Sequence, residues 1–493
     1  MVQLNAQSLA GLPESVAVPT YDRSAVSTGI VHFGVGGFHR AHQAMYIDRL
    51  LNSGKALDWG ICGVGVLPHD EKMAQVMAAQ DCLYTLLLKH PDGRREARVI
   101  GSITEYLFAP ANPEAVIEKM ASPDTRIVSL TVTEGGYNFH HVTGEFDAEN
   151  PDIVHDLAPN AAPRTTFALV TEALSRRRAR GLAPFTVMSC DNIAGNGDVA
   201  KKMFTAFAEL RDPALANWMR QNVLFPNSMV DRITPVTTDE DRSAIAEEFG
   251  IADQWPVVCE SFEQWVLEDD FTLGRPPYED AGVQLVDDVE PYELMKLRLL
   301  NASHQALCYF GTLAGYTYAH EVCQDPLFVQ FLLDYMDLEG TPALSPLPGV
   351  DLPLYKHTLI ERFANEHVRD TLTRLCAESS DRIPKWLVPV INLNLENDGV
   401  IARSAGIVAS WARYAEGTDE SGAPITVVDR LKVPLMAAAA QQHEDKLAFL
   451  RNRDVFGDLV DNTRFTDAYL RTLNTLHTRG ARAAVEELVA LDR

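Results

Sequence analysis

The chain has 493 residues, 46% of them hydrophobic and 23% charged, an ordinary globular composition with room for two or three domains. Lysine and arginine number 43 against 68 aspartates and glutamates, a formal charge of −25. So acidic a chain opposes binding to nucleic acid or anionic lipid, and an anionic substrate would need a local basic pocket.

The opening segment MVQLNAQSLAGLPES lacks the basic start and long apolar core of a signal peptide. No apolar stretch reaches the ~18 residues that a membrane helix needs. The seven cysteines are scattered and never spaced C-x-x-C. They read as reduced core thiols, and not as a disulfide framework or a zinc site. The expectation is a cytoplasmic protein with neither a membrane nor a nucleic-acid partner.

In chain order, TGIVHF followed by GVGGFHRAH predicts a strand and a glycine turn, then the helix HRAHQAMYIDRLL. WGICGVGV (59–66) predicts a second strand. CLYTLLLKH and REARVIGSI (82–90 and 95–103), joined through PDG, predict a hairpin added to the same sheet. The β-branched content of RIVSLTVTE (126–134) and PFTVMSCDN (184–192) predicts buried strands. Between them TTFALVTEALSRRRARG reads as an amphipathic helix ending at Gly181. NVLFPNSMVDRITP (222–235) carries a further short strand. Strand–helix–strand repetition predicts a mostly parallel sheet covered on both faces.

From about residue 286, apolar residues recur at three- and four-residue spacing and strand-like runs become scarce. LEGTPALSPLPGVDLP (338–353) predicts a proline-rich surface loop. The expected fold is therefore α/β. A Rossmann-like parallel-sheet domain spans residues 1–285, and a mainly α-helical domain spans residues 286–493.

Gly34, Gly36 and Gly37 at a strand-to-helix turn allow close backbone approach to a pyrophosphate, with the helix N-terminus adding partial positive charge. His39 stands where G-x-G-x-x-G has its third glycine. Glycine turns without a ligand are common, but this one opens the first βα unit, which favours the nucleotide reading. His39 and His42 could also ligate a metal, yet no nearby carboxylate or thiol completes such a set. Asp70 in LPHD, past the second strand, would accept the ribose hydroxyls and repel a 2′-phosphate. Its plain reading is a solvated loop acid.

On a regular helix Lys296, Asn301 and His304 of KLRLLNASH fall at about 0°, 140° and 80°, one broad stripe among Leu294, Leu297, Leu300 and Leu307. Three polar groups on a face that should be buried demand partners. A lysine reaching the surface beside a self-satisfied Asn–His pair is one account, and a catalytic set is the other. Glu134 in TVTEGGYN, Asn192 in MSCDNIAGNG and Asp231 with Arg232 in NSMVDRITP stand where strands end, the usual place for a cleft.

Taken in order, GVGGFHRAH, TEGGY, SCDN, FPNSMVDRITP and K-x-x-x-x-N-x-x-H resemble the polyol-specific long-chain dehydrogenases and reductases. The likeness continues through WPVVCESFEQWVLED, CQDPLF and the PKW stretch near 385, over nearly the whole chain, and members acting on mannitol are nearest. The resemblance implies a metal-independent, NAD-linked oxidation of a sugar alcohol at a secondary carbon, D-mannitol to D-fructose. It implies Lys296 as general base, with Asn192 and Asn301 as amide donors to the alcohol oxygen. His304 would position Lys296 or the substrate, and Glu134 would pass the proton to solvent. Asp231 and Arg374 would bind the polyol hydroxyls. The dinucleotide would lie along Gly34, Gly36, Gly37, Phe38, His39 and Arg40, with Asp70 at the adenosine ribose.

Two positions depart from the family pattern. His69 stands where mannitol members usually carry Glu, which leaves tolerance of NADP open. Arg382 in CAESSDRIPKW stands where many members carry Lys, and arginine can grip a carboxylate with two bonds. That keeps open a hexuronate reductase acting on fructuronate or tagaturonate, beside arabinitol and sorbitol as further polyols. A nucleotide-binding sensor without turnover is the contrasting class, and the presence of Lys296 and both asparagines speaks against it. The family resemblance implies a monomer.

Overall fold

Alternation along Thr28–Phe33 (β1) sets two faces at once: Ile30 packs into one apolar cluster, Val31 and Phe33 into another. The computed structural model describes residues 1–140 and 144–491. It divides into two compact units, residues 1–290 and 291–493.

In the first unit β1 is central. Gly60–Gly65 (β2), Ile103–Phe108 (β3), Ile127–Leu130 (β4) and Thr186–Ser189 (β5) join it in the order β3-β2-β1-β4-β5, every pairing parallel. The same split of faces recurs in Ile61 against Val64, Ile127 against Val128 and Met188 against Val187. This is a Rossmann-type sheet with cover on both sides, as the strand–helix repetition predicts.

The hairpin forms as Tyr84–Lys89 against Arg95–Ile100, with Tyr84 opposite Ile100. It does not join the parallel sheet; it pairs instead with Val257–Glu260 in a separate three-stranded sheet. The chain bends between the two sheets at Gly101 and Ser102. Asp48 accepts the Gly101 N–H (2.9 Å), and the Ser102 hydroxyl donates to the Ala44 carbonyl (2.6 Å). The single predicted strand over 95–103 is therefore the end of the hairpin at Ile100 and the start of β3 at Ile103. Ser228–Asp231 (β6) also leaves the parallel sheet, pairing antiparallel with Gln264–Glu268 (β7). The helix after β1 is not continuous: Gly37–Ala41 (α1) and Gln43–Asn52 (α2) meet at His42, whose φ of −122° and ψ of −97° are not helical.

The second unit is helical around one large apolar cluster that includes Leu299, Tyr309, Phe331 and Trp411. Glu290–Met295 (α3) leads into Lys296–Asn301, which winds as a π-helix, and then into Ala302–Leu313 (α4). A second π turn, Met336–Gly340, occupies the start of the predicted surface loop. Its Glu339 is buried because the carboxylate caps Ala402–Tyr414 (α5), accepting the N–H groups of Arg403 (2.7 Å) and Ser404 (2.8 Å). Lys432–Gln441 (α6) and Thr463–Ala490 (α7) complete the elements used below; α7 is interrupted at Gly480, with φ of +87°. All seven cysteines are buried and free. Among the described residues no helix is long and apolar enough to cross a membrane.

Candidate active site

The glycine turn follows β1 directly. Gly34 has φ of +88°, and a Cβ there would lie 2.1 Å from the Thr131 carbonyl oxygen, so no other residue fits. Gly36 and Gly37 differ: a Cβ would meet nothing closer than 3.9 Å and 3.6 Å respectively. These two leave the backbone open to a close-lying ligand, which is what a pyrophosphate requires.

The side chains that follow turn inward. His39 stacks on His32 with ring centroids 3.4 Å apart, both buried. Burial holds His32 down to about 3 and His39 well below the usual histidine value, so both are neutral. Arg40 is buried, donating to the Trp255 and Gly36 carbonyls. His42 Nε2 lies 3.1 Å from the Gln264 carbonyl oxygen. The side chains of His39 and Arg40 thus pack beneath the turn, one on His32 and the other on the Trp255 and Gly36 carbonyls. The half-exposed Phe38, stacked on His42 at 4.9 Å, is the side chain left at its mouth.

Asp70 sits past the carboxyl end of β2. Its Oδ2 accepts the N–H groups of Val66 (2.9 Å) and Leu67 (2.8 Å), so it shapes the loop and is more than a solvated acid. Glu134 and Asn192 lie past the neighbouring strands β4 and β5, and both are exposed. The loop bearing Glu134 is strained: Thr133 has φ of +64° and Asn138 φ of +55°. Asp191 holds it, accepting the N–H groups of Val132 (3.1 Å) and Thr133 (2.8 Å) and the Tyr137 hydroxyl (2.8 Å). Burial pushes the Asp191 carboxyl up, against the pull of those three bonds.

Asn196 ties the Asn192 loop to β6. Its Nδ2 donates to the Asp191 (2.9 Å) and Ser228 (2.8 Å) carbonyls, and its Oδ1 accepts the Ser228 N–H (2.9 Å). Asp231, at the end of β6, is buried opposite Gln264 in an antiparallel pair, not at the parallel-strand end the sequence suggests. The neighbouring Arg232 donates to the Glu260 and Ala41 carbonyls, so its role is to join α1 to this segment.

In the helical unit Lys296 and Asn301 are buried and His304 is half-buried, its ring 4.6 Å from that of Phe363. The π turn alters the expected stripe. The Ala302 N–H reaches back five residues to the Leu297 carbonyl. Residues five apart, such as Lys296 and Asn301, then lie about one turn from each other on a shared side, instead of about 140° apart as on a regular helix. The Arg298 carbonyl, which loses the Ala302 N–H as its α-helical partner, accepts the Tyr335 hydroxyl at 3.0 Å. Gly340 of the second π turn packs here too; a Cβ on it would lie 2.8 Å from Leu299. Tyr335 and Gly340 thus brace the segment that carries Lys296 and Asn301.

Arg374 gives Nε and one Nη to Asp370 (2.6 and 2.5 Å), which raises its already high pKa. Arg382 donates to the Leu375 carbonyl (2.9 Å) and lies over Trp386. Both arginines bond to residues close to them in sequence.

Residues 28–280 match the family described as the mannitol dehydrogenase Rossmann domain, and residues 288–477 match the mannitol dehydrogenase C-terminal domain. A mannitol 2-dehydrogenase of Phaeosphaeria nodorum is 48% identical over 490 residues, covering 99% of this chain and 85% of that protein. The chain belongs to the mannitol dehydrogenase family. Another member, a mannitol 2-dehydrogenase of Aspergillus fumigatus, is 48% identical over 96% of each chain. Among solved structures of the family, the Pseudomonas fluorescens mannitol 2-dehydrogenase in ternary complex with NAD and D-mannitol superposes with a TM-score of 0.87, at 45% identity over the whole of both chains. A substrate-free D-sorbitol dehydrogenase gives 0.91 at 38% identity, covering 98% of this chain and 100% of that one.

Proposed function

We propose that this chain is an NAD-dependent, metal-independent polyol dehydrogenase that interconverts D-mannitol and D-fructose. The observation that carries this reading is the full-length match, at 45% identity, to a mannitol 2-dehydrogenase whose structure holds NAD and D-mannitol. Residues 1–285 would hold the dinucleotide and residues 286–493 the main catalytic set.

The open backbone at Gly36 and Gly37 fits a dinucleotide, with Phe38 at the mouth of the turn. Bound there, NAD would supply the acceptor for the hydride that leaves C2. Lys296, buried in the helical unit, takes the proton of the C2 hydroxyl. The amides of Asn192 and Asn301 donate to the oxygen as it gains negative charge, the part a metal would otherwise play. His304 orients Lys296 or the substrate, and Glu134, exposed on its strained loop, passes the proton to water. Asp231 and a remaining Arg374 donor bind the other hydroxyls.

NADH formation across a polyol panel should give the highest kcat/KM with D-mannitol, with D-arabinitol and D-sorbitol behind it, and no loss after dialysis against a chelator. Higher kcat/KM with D-sorbitol would move the substrate to that of the second solved relative. Turnover confined to fructuronate or tagaturonate in the reverse direction would make the chain a hexuronate reductase and give Arg382 its carboxylate.

Asp70 is the proposed ribose ligand. NAD should be preferred over NADP, and Asp70→Asn, which keeps an acceptor for Val66 and Leu67, should narrow that preference about tenfold, the effect of ~1.4 kcal/mol of lost repulsion. An unchanged ratio of the two catalytic efficiencies would remove Asp70 from the cofactor site. The buried thiols suit a reducing compartment, so a cytoplasmic location is part of the proposal, as is a monomeric state.

A further inference from the structure

Three side chains with no part in this chemistry converge within the helical unit. Glu416 follows α5, His443 follows α6, and His477 lies one turn before the break in α7. His477 Nε2 is 2.7 Å from Glu416 Oε1, and His443 Nε2 is 3.8 Å from the same oxygen. The two imidazole centroids are 5.1 Å apart, and one ligand atom from each residue lies within 4.8 Å of the other two.

The carboxylate is anchored. Gln442 Nε2 donates to Oε1 at 2.5 Å, and Arg413 Nη1 lies 3.2 Å from Oε2. Only 11% of the Glu416 side chain is exposed, against 63% of that of His443, so one ligand is fixed and another is open to solvent.

We propose that Glu416, His443 and His477 form a binding site for a divalent transition-metal ion, with zinc the best fit. Two imidazole nitrogens and one carboxylate oxygen are a donor set that zinc accepts at ~2.0–2.2 Å, which puts ligand atoms about 3.3 Å apart in a tetrahedron. The observed spacings fall on both sides of that value, so binding asks the His477 ring to draw back slightly and the exposed His443 ring to turn in. Calcium and magnesium want oxygen donors and are poorly served here. Gln442 and Arg413 would act as the outer shell that fixes the carboxylate. Water would complete the coordination. The site ties together three segments far apart in sequence, so its effect is on stability and not on the reaction.

The test uses metal-stripped full-length protein and zinc chloride. Equilibrium dialysis should find one zinc per chain at micromolar concentration, with Tm rising by about 5 °C at saturation. His443→Ala and His477→Ala should each weaken binding at least tenfold and abolish the Tm rise, with mannitol oxidation unchanged. His477→Ala also removes a bond to Glu416 that exists without metal, so His443→Ala is the cleaner variant. No binding at tenfold molar excess, or an undiminished Tm response in both variants, overturns the site and leaves an ordinary histidine–carboxylate cluster. Activity is read separately: its absence in the wild type would count against the dehydrogenase reading and leave the zinc result standing.

Discussion

Lys296→Ala is expected to lower D-mannitol turnover about 10³–10⁴-fold while leaving NADH affinity within a few-fold of wild type. A positioned base contributes on the order of 10²–10⁴, and removal of the only amine assigned to the C2 hydroxyl belongs at the upper end. The base must be neutral to take the proton, so oxidation should rise with pH through a single ionisation. Fructose reduction should show the opposite limb, because the same group must then carry the proton it donates. Both limbs should vanish in the variant. Small exogenous amines should restore part of the activity by entering the space the side chain leaves. A variant with near-normal turnover and an unchanged pH profile would assign the base to another group.

Asn301→Ala and Asn192→Ala should each reduce kcat about 10²–10³-fold, with KM for D-mannitol changed far less, since an amide aimed at a developing alkoxide acts mainly in the transition state. The two positions differ in their support. Asn301 rides on the π turn braced by Tyr335, whereas Asn192 follows the Asp191 carboxylate that holds the strained Glu134 loop. Asn192→Asp tests the sign of the field: a carboxylate repels the alkoxide and should be at least as harmful as alanine. If either asparagine variant raises KM and leaves kcat intact, that residue clamps the substrate and is no oxyanion donor.

Much of the first unit was legible because its signals are local. β-branched runs mark β1, β4 and β5, and the glycines after β1 sit where a positive φ and an open backbone are needed. Placement of Asn192, Glu134 and Asp70 past strand ends follows from the same pattern. What failed to show depends on partners distant in sequence. The hairpin's true neighbour is Val257–Glu260, some 170 residues away by register. The inward turn of His39 and Arg40 is set by His32 and Trp255. Asp191 and Asn196 declare their roles only through their bonds to Thr133 and Ser228. His443 and His477 have no spacing that a metal motif would flag. A helical wheel for Lys296, Asn301 and His304 assumes a constant rotation per residue, and the π turn breaks that assumption.

The π turn also means that this segment is encoded by length as much as by residue type. It amounts to one additional amino acid wound into an otherwise α-helical run. Were the turn to straighten into an α-helix with no residue lost, Lys296 would swing by about 100° relative to His304. Every side chain of the segment would survive that change, and Lys296 and Asn301 would no longer share a side. A one-residue gap inside the turn is milder, because it leaves the lysine and the asparagine four apart on an α-helix and still on one side.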